Sequence, residues 1–145
     1  MKLKISTPEK TIYEWEVRQI TLPTENWEIT INSSSSPLVS SLKPGIVKII
    51  PEEPISWFIY FKNEISISTD KGMAFVDGKI IRIVVSSATT LPNQSLEALN
   101  KIKSDLETKI QELKKKGSIE EIEKSLIKLE KIKADIKLEE IKESK

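Results

Sequence analysis

The side chains able to do chemistry in this chain are carboxylates, lysines and serines, because its 145 residues include no histidine and no cysteine. That leaves no imidazole general base, no thiolate nucleophile, no Ser-His-Asp triad and no zinc or iron centre with thiolate or imidazole ligands. Two carboxylates held at a fixed separation suffice for glycoside hydrolysis. Here, however, the 22 acidic residues are scattered through a chain that is 31% charged, and no pair is marked by its setting. No catalytic residue, metal ligand or cofactor is assigned, and the chain reads as a non-enzyme. The 23 basic residues leave a formal net charge of only +1, which argues against gripping nucleic acid through bulk positive charge. The longest apolar runs, such as Ile80 to Val85 with Arg82 inside it, fall far short of the ~20 residues that cross a bilayer as a helix. The start, Met1-Lys2-Leu3-Lys4-Ile5, lacks the apolar stretch and cleavage site of a signal peptide, so a cytoplasm-like compartment is expected.

The elements that must position these side chains fall into two unlike parts. All eight aromatic residues, both arginines and three of the four glycines precede Leu91-Pro92-Asn93; beyond it nearly half the residues are charged. The reading is therefore a domain over residues 1–92 and a second over residues 93–145. In the first, apolar and polar residues alternate around Leu3 and Ile5, Trp15 and Val17, and Trp27, Ile29 and Ile31, the period-two signature of strands with one wet face. Further β-branched and aromatic runs lie at Ile46 to Ile50, Ile55 to Phe61, Ile65 to Ser68, Met73 to Val76 and Lys79 to Val85, separated by turn signals. Of these, Asp77-Gly78 suits a type I′ hairpin best. Closely spaced strands with no helix between them predict an antiparallel β-sandwich or flattened barrel. Its expected core is Trp15, Val17, Ile20, Ile29, Ile31, Ile46, Phe58, Ile67, Phe75, Ile81 and Ile83.

In the second part the period changes. Leu96, Leu99, Ile102, Leu106, Ile110 and Leu113, then Ile119, Ile122, Leu126, Leu129, Ile132 and Ile136, recur at steps of three and four, which predicts two amphipathic helices. Gly117 suits the left-handed end of the first, and Ser118 with Glu121 forms a capping box for the second. The short loop makes an antiparallel hairpin the default. Ile127, Ala134, Leu138 and Ile141 widen the apolar arc of the second helix, so it should touch more than its partner helix. Pairs four residues apart, such as Glu97 with Lys101, Glu112 with Lys116 and Lys131 with Asp135, each add ~0.2–0.5 kcal/mol of local support.

Read in order, Ile5-Ser6-Thr7-Pro8-Glu9, Ile20-Thr21-Leu22-Pro23-Thr24-Glu25, Glu28-Ile29-Thr30-Ile31, Pro37-Leu38-Val39-Ser40-Ser41-Leu42-Lys43-Pro44-Gly45 and the closing hairpin resemble the epsilon subunit of the rotary F-type ATP synthase. The resemblance implies a non-catalytic subunit of the central stalk. Its sandwich would clamp to the gamma subunit and sit on the ring of c subunits, coupling rotation of that ring to the catalytic head. Its hairpin would fold against the sandwich, or open and rise along gamma into the head, where it meets the alpha and beta subunits, obstructs rotation and inhibits ATP hydrolysis. The resemblance also implies a peripheral place on the cytoplasmic face of a bacterial inner membrane, or on the stromal face of a plastid thylakoid, with membrane association only through the complex. A structural adaptor presenting its hairpin to an unrelated partner is the alternative.

Carried over residue by residue, the resemblance assigns Glu28 and the loop Ser33, Ser34, Ser35, Ser36 and Pro37 to the c ring, and Lys124, Lys128 and Lys131 to contacts of the raised hairpin. Glu28 is equally explained as a solvent-facing strand residue, and lysines on an exposed helix face are ordinary. The chain departs from the family at three places. Asn26-Trp27 stands where a glycine usually makes the turn, Ser35 stands where the family often has histidine, and Gln94 to Leu99 lacks the Asp and Arg of the ATP-binding motif (Ile/Leu)-Asp-x-x-Arg-Ala. With no arginine after Arg82, no tight ATP binding is expected.

Overall fold

The computed structural model describes residues 1–55, 58–61, 63–91 and 94–143. Ser56 and Trp57 of the expected strand run, and Pro92 and Asn93 at the expected domain boundary, lie outside the described residues. Among the described residues ten strands precede two helices. In chain order they are β1 (Lys2–Ser6), β2 (Thr11–Pro23), β3 (Glu28–Asn32), β4 (Leu38–Leu42), β5 (Gly45–Pro51), β6 (Ile59–Phe61), β7 (Glu64–Thr69), β8 (Gly72–Val76), β9 (Ile80–Val85) and β10 (Ala88–Thr89). The helices are α1 (Leu96–Lys116) and α2 (Ile119–Glu143).

Strand β2 belongs to both layers of the sandwich. Its first half pairs with β1, and its second half pairs with β3 and β5 after a register shift between Val17 and Gln19. An irregularity of this kind bends a long strand from one sheet into the other. One sheet then runs β2-β1-β9-β8-β4, and the other runs β3-β2-β5-β7 with β6 and β10 sharing the far edge of β7. All ladders are antiparallel except β1 with β9, which is parallel. The inner faces meet in a core of Leu3, Ile5, Val17, Ile20, Leu22, Ile31, Val47, Ile49, Ile65, Ile67, Ile81 and Ile83, all 1% exposed or less. β4 and β10 were not legible as strands, since their polar and small residues carry no clear alternation.

Three expected core residues stand elsewhere. Trp15 shares a face with the buried Tyr13 and Val17 yet is 38% exposed, because it sits where the sandwich opens, in edge contact with Tyr13 and Phe58. Phe75 pairs with exposed Arg82 and Val39 and is 42% exposed on the outer face of its sheet. Ile46 is buried beneath α2, with Ile59, Ala134 and Leu138, in a cluster separate from the main core. The β8–β9 turn differs too: Asp77 N–H donates to the Ile80 carbonyl at 3.1 Å, so Gly78, at φ 94°, is the first of two loop residues. Glycine is required at that place in type II′ hairpins, not type I′.

The hairpin forms as its pattern demands. Ser95 accepts from Ala98 N–H at 3.1 Å to cap α1, and Gly117, at φ 72°, ends it by donating to the Leu113 carbonyl at 3.0 Å. At α2 the recorded bond is from Ile122 N–H to the Ser118 carbonyl at 3.1 Å; among the described residues the expected Ser118 capping box is not formed. Among the described residues, of the expected ion pairs only Lys131 with Asp135 is made, at 2.6 Å. The others lie in solvent, where such pairs gain little over water. The widened arc of α2 finds the second surface it needs: Ala134, Leu138 and Ile141 pack on the sandwich, while Leu129 and Ser125 are also buried and Ile119 and Leu126 stay exposed.

Candidate functional surfaces

No group of acidic residues among those described is placed to hold a metal ion, and the functional candidates are surfaces. The first begins at the turn before β3. Lacking glycine, this turn is closed by Thr24: its amide donates to the Trp27 carbonyl at 3.0 Å, its hydroxyl donates to the same carbonyl, and Trp27 N–H reaches the hydroxyl at 3.4 Å. The hydroxyl supplies the closure that a glycine conformation supplies elsewhere. Trp27 is left 67% exposed, and Glu28, opposite Pro23, reaches Lys48 at 3.6 Å. Both line a cleft of about 290 Å³ with Lys43, Glu130, Lys133 and Lys137, so this turn and the docked α2 share one recess.

The serine loop lies at the other end of β3. Asn32 Oδ1 accepts from Ser34 N–H at 3.0 Å and Ser34 Oγ at 2.7 Å, while Ser35 Oγ accepts from Asn32 N–H at 3.0 Å. Four consecutive serines would form a flexible linker on composition alone; here Asn32 ties them into a turn that leaves Ser33, Ser34, Ser36 and Pro37 exposed. Glu28 and Asn32 are the two ends of one strand, four steps or roughly 13 Å apart. The structure does not gather the c-ring candidates into a single cluster.

The lysine row on α2 is divided. Lys124 and Lys128 are exposed. Lys131 instead turns onto the sandwich, donating to Thr89 Oγ1 at 3.1 Å and to Asp135 Oδ1 at 2.6 Å, with Ser68 Oγ donating to the same carboxylate oxygen at 2.6 Å. Ser68 and Thr89 had no signal in the sequence, since a hydroxyl beneath a helix reads like one in water.

A further surface was missed because its residues were assigned to the core or left unassigned. On the outer face of the β1-β9-β8-β4 sheet, Val39 pairs with Phe75 and Met73 with Val84. Val39, Phe75 and Val84 are 65%, 42% and 48% exposed. The signal for it is the apolar residue at alternate positions on both faces of β8 and β9. No helix among the described residues is long and apolar enough to cross a membrane.

Comparison with known proteins agrees with this architecture. Residues 1–91 match the family model of the ATP synthase delta/epsilon chain, β-sandwich domain. The ATP synthase epsilon chain of Sulfurimonas denitrificans is 29% identical over 114 residues, covering 79% of this chain and 82% of that one. The epsilon chain of Rickettsia bellii is 26% identical over 115 residues, 79% of this chain and 94% of its own. Among solved structures, a chain of the Euglena gracilis mitochondrial ATP synthase superposes with a TM-score of 0.70 at 20% identity, covering 91% of this chain and 76% of that one. With a sandwich that matches along nearly its full length and a helical hairpin behind it, the chain belongs to the ATP synthase delta/epsilon family, and its curated relatives are epsilon chains.

Proposed function

We propose that this chain is a non-catalytic central-stalk subunit of a proton-translocating ATP synthase, coupling rotation of the c ring to the catalytic head through gamma. The observation that carries the reading is the two-sided sandwich. One outer face is covered by the chain's own hairpin, whereas the opposite one bears the bare apolar group Val39, Met73, Phe75 and Val84. Contiguous exposed apolar residues on a stiff sheet mark a protein interface, and we assign this one to gamma. The turn at Glu28 and the loop Ser33 to Pro37 then face the c ring. The hairpin, released, carries Lys124 and Lys128 towards the alpha and beta subunits and inhibits hydrolysis. Residues 1–92 serve as the coupling domain and residues 93–145 as the regulatory one, and the subunit is held peripherally on the cytoplasmic face of a bacterial inner membrane.

The test is co-purification. Tagged full-length chain should bring down gamma with alpha and beta, and Phe75→Glu should weaken gamma capture at least ~30-fold, the scale of losing an interface anchor. A partner set without gamma refutes the assignment; retention of gamma by the variant refutes the assigned face.

A further inference from the structure

On the outer face of the β5-β7 sheet, cross-strand register sets Ile46, Ser68 and Thr89 in one row: Ile46 opposes Ser68, and Ser68 opposes Thr89. Helix α2 lays Lys131, Ala134, Asp135 and Leu138 over it, the i, i+3, i+4, i+7 face of a helix. Among the described residues the apolar half of the contact is Ala134 and Leu138 against Ile46 and Ile59, with Ile141 at its margin. Its polar half is the set Ser68, Thr89, Lys131 and Asp135, in which the two charged side chains are only 12% and 15% exposed.

We propose that these four polar residues form a release latch, setting how often the hairpin leaves the sandwich and making the departure reversible. The reason lies in where the charges sit. Both are on the helix, one turn apart, and both sheet partners are neutral hydroxyls. When α2 lifts, Lys131 and Asp135 leave together and remain an i, i+4 pair in water, while Ser68 and Thr89 bond to water instead. Neither surface is left holding an unpaired charge against apolar neighbours, the situation that makes breaking a buried ion pair costly. In the docked state the same bonds are charge-assisted and directional, so they select one rotation and height of α2, which non-directional apolar contact alone does not. Thr89 also belongs to β10, the two-residue strand just before α1. One lysine therefore ties the returning helix to the segment that leads into the hairpin, a segment that stays paired with β7 when α2 lifts.

The latch rests on the regulatory reading of the hairpin only for its consequence, since docking is a property of this chain alone. The experiment is hydrogen exchange on the isolated full-length chain, comparing α2 amides at 131–141 with those of β5 and β7. Ser68→Ala, which removes only a hydroxyl, and Asp135→Ala should each speed α2 exchange about tenfold or more, the scale of a lost hydrogen bond to a charged group, with β5 and β7 unchanged. Lys128→Ala, on the exposed row, should change neither. Joint replacement of all four, Lys131→Met and Asp135→Leu with Ser68→Ala and Thr89→Val, should slow α2 exchange, because no polar group is then left under the helix without a partner; acceleration in that variant overturns the latch. Unchanged α2 exchange in both single variants overturns the latch, as does equal acceleration in β5 and β7. If exchange responds as expected but ATP hydrolysis by assembled synthase carrying the variants does not, the latch stands and the inhibitory reading falls.

Discussion

Leucine 138 tests whether the hairpin and the sandwich are separate cooperative units. Its side chain is fully buried, but in the small cluster with Ile46, Ile59 and Ala134 rather than in the main core. Leu138→Ala in a deep core costs about 2–5 kcal/mol, the upper end arising where a cavity persists. This seam is shallow and can close by a small shift of α2, so the lower end applies, about 2 kcal/mol, or roughly 30-fold in the docking equilibrium. Native-state hydrogen exchange should show that factor in the second half of α2, while the β5 and β7 amides keep their protection. Ile67→Ala, at the centre of β7 within the main core, should instead speed exchange in the sandwich and in α2 alike, because the platform for docking is lost with it. If Leu138→Ala lowers protection equally in β5, β7 and α2, the chain unfolds as one unit and the argument from two clusters is refuted.

Three further outcomes follow. Ending the chain after Leu91 should leave a folded sandwich by circular dichroism that still supports coupled synthesis, since the main core draws no residue from α1 or α2; hydrolysis should rise, and an unchanged rate would remove the inhibitory role. Thr24→Ala should lower stability by about 1 kcal/mol in denaturant titration, because the hydroxyl that closes the turn at Trp27 is lost, whereas an unchanged midpoint would mean the backbone bond alone holds it. Isothermal titration with ATP should show no one-to-one site in the micromolar range, and finding one would overturn the reading of Gln94 to Leu99.

Much of this molecule is a local property of its sequence. Alternation over β1 and β9 and the three-four spacing of α1 and α2 survive in any context, because each reflects a buried face set by the element's own period. The order of those elements and the ordered segments from Ile5 to Gly45 were enough to name the family. What the tertiary structure decided is which face of an ambiguous strand turns inward and which distant partner a polar residue meets. Phe75 lies in a strand with apolar residues on both faces, so only the second sheet determines that Ala74 and Val76 are covered and Phe75 is bare. Lys131 continues the spacing of Lys124 and Lys128, yet a hydroxyl 42 residues earlier draws it off the exposed row. Periodicity is set by neighbours along the chain. A latch or a docking face is set by residues that only the sandwich brings within 3 Å or so of each other.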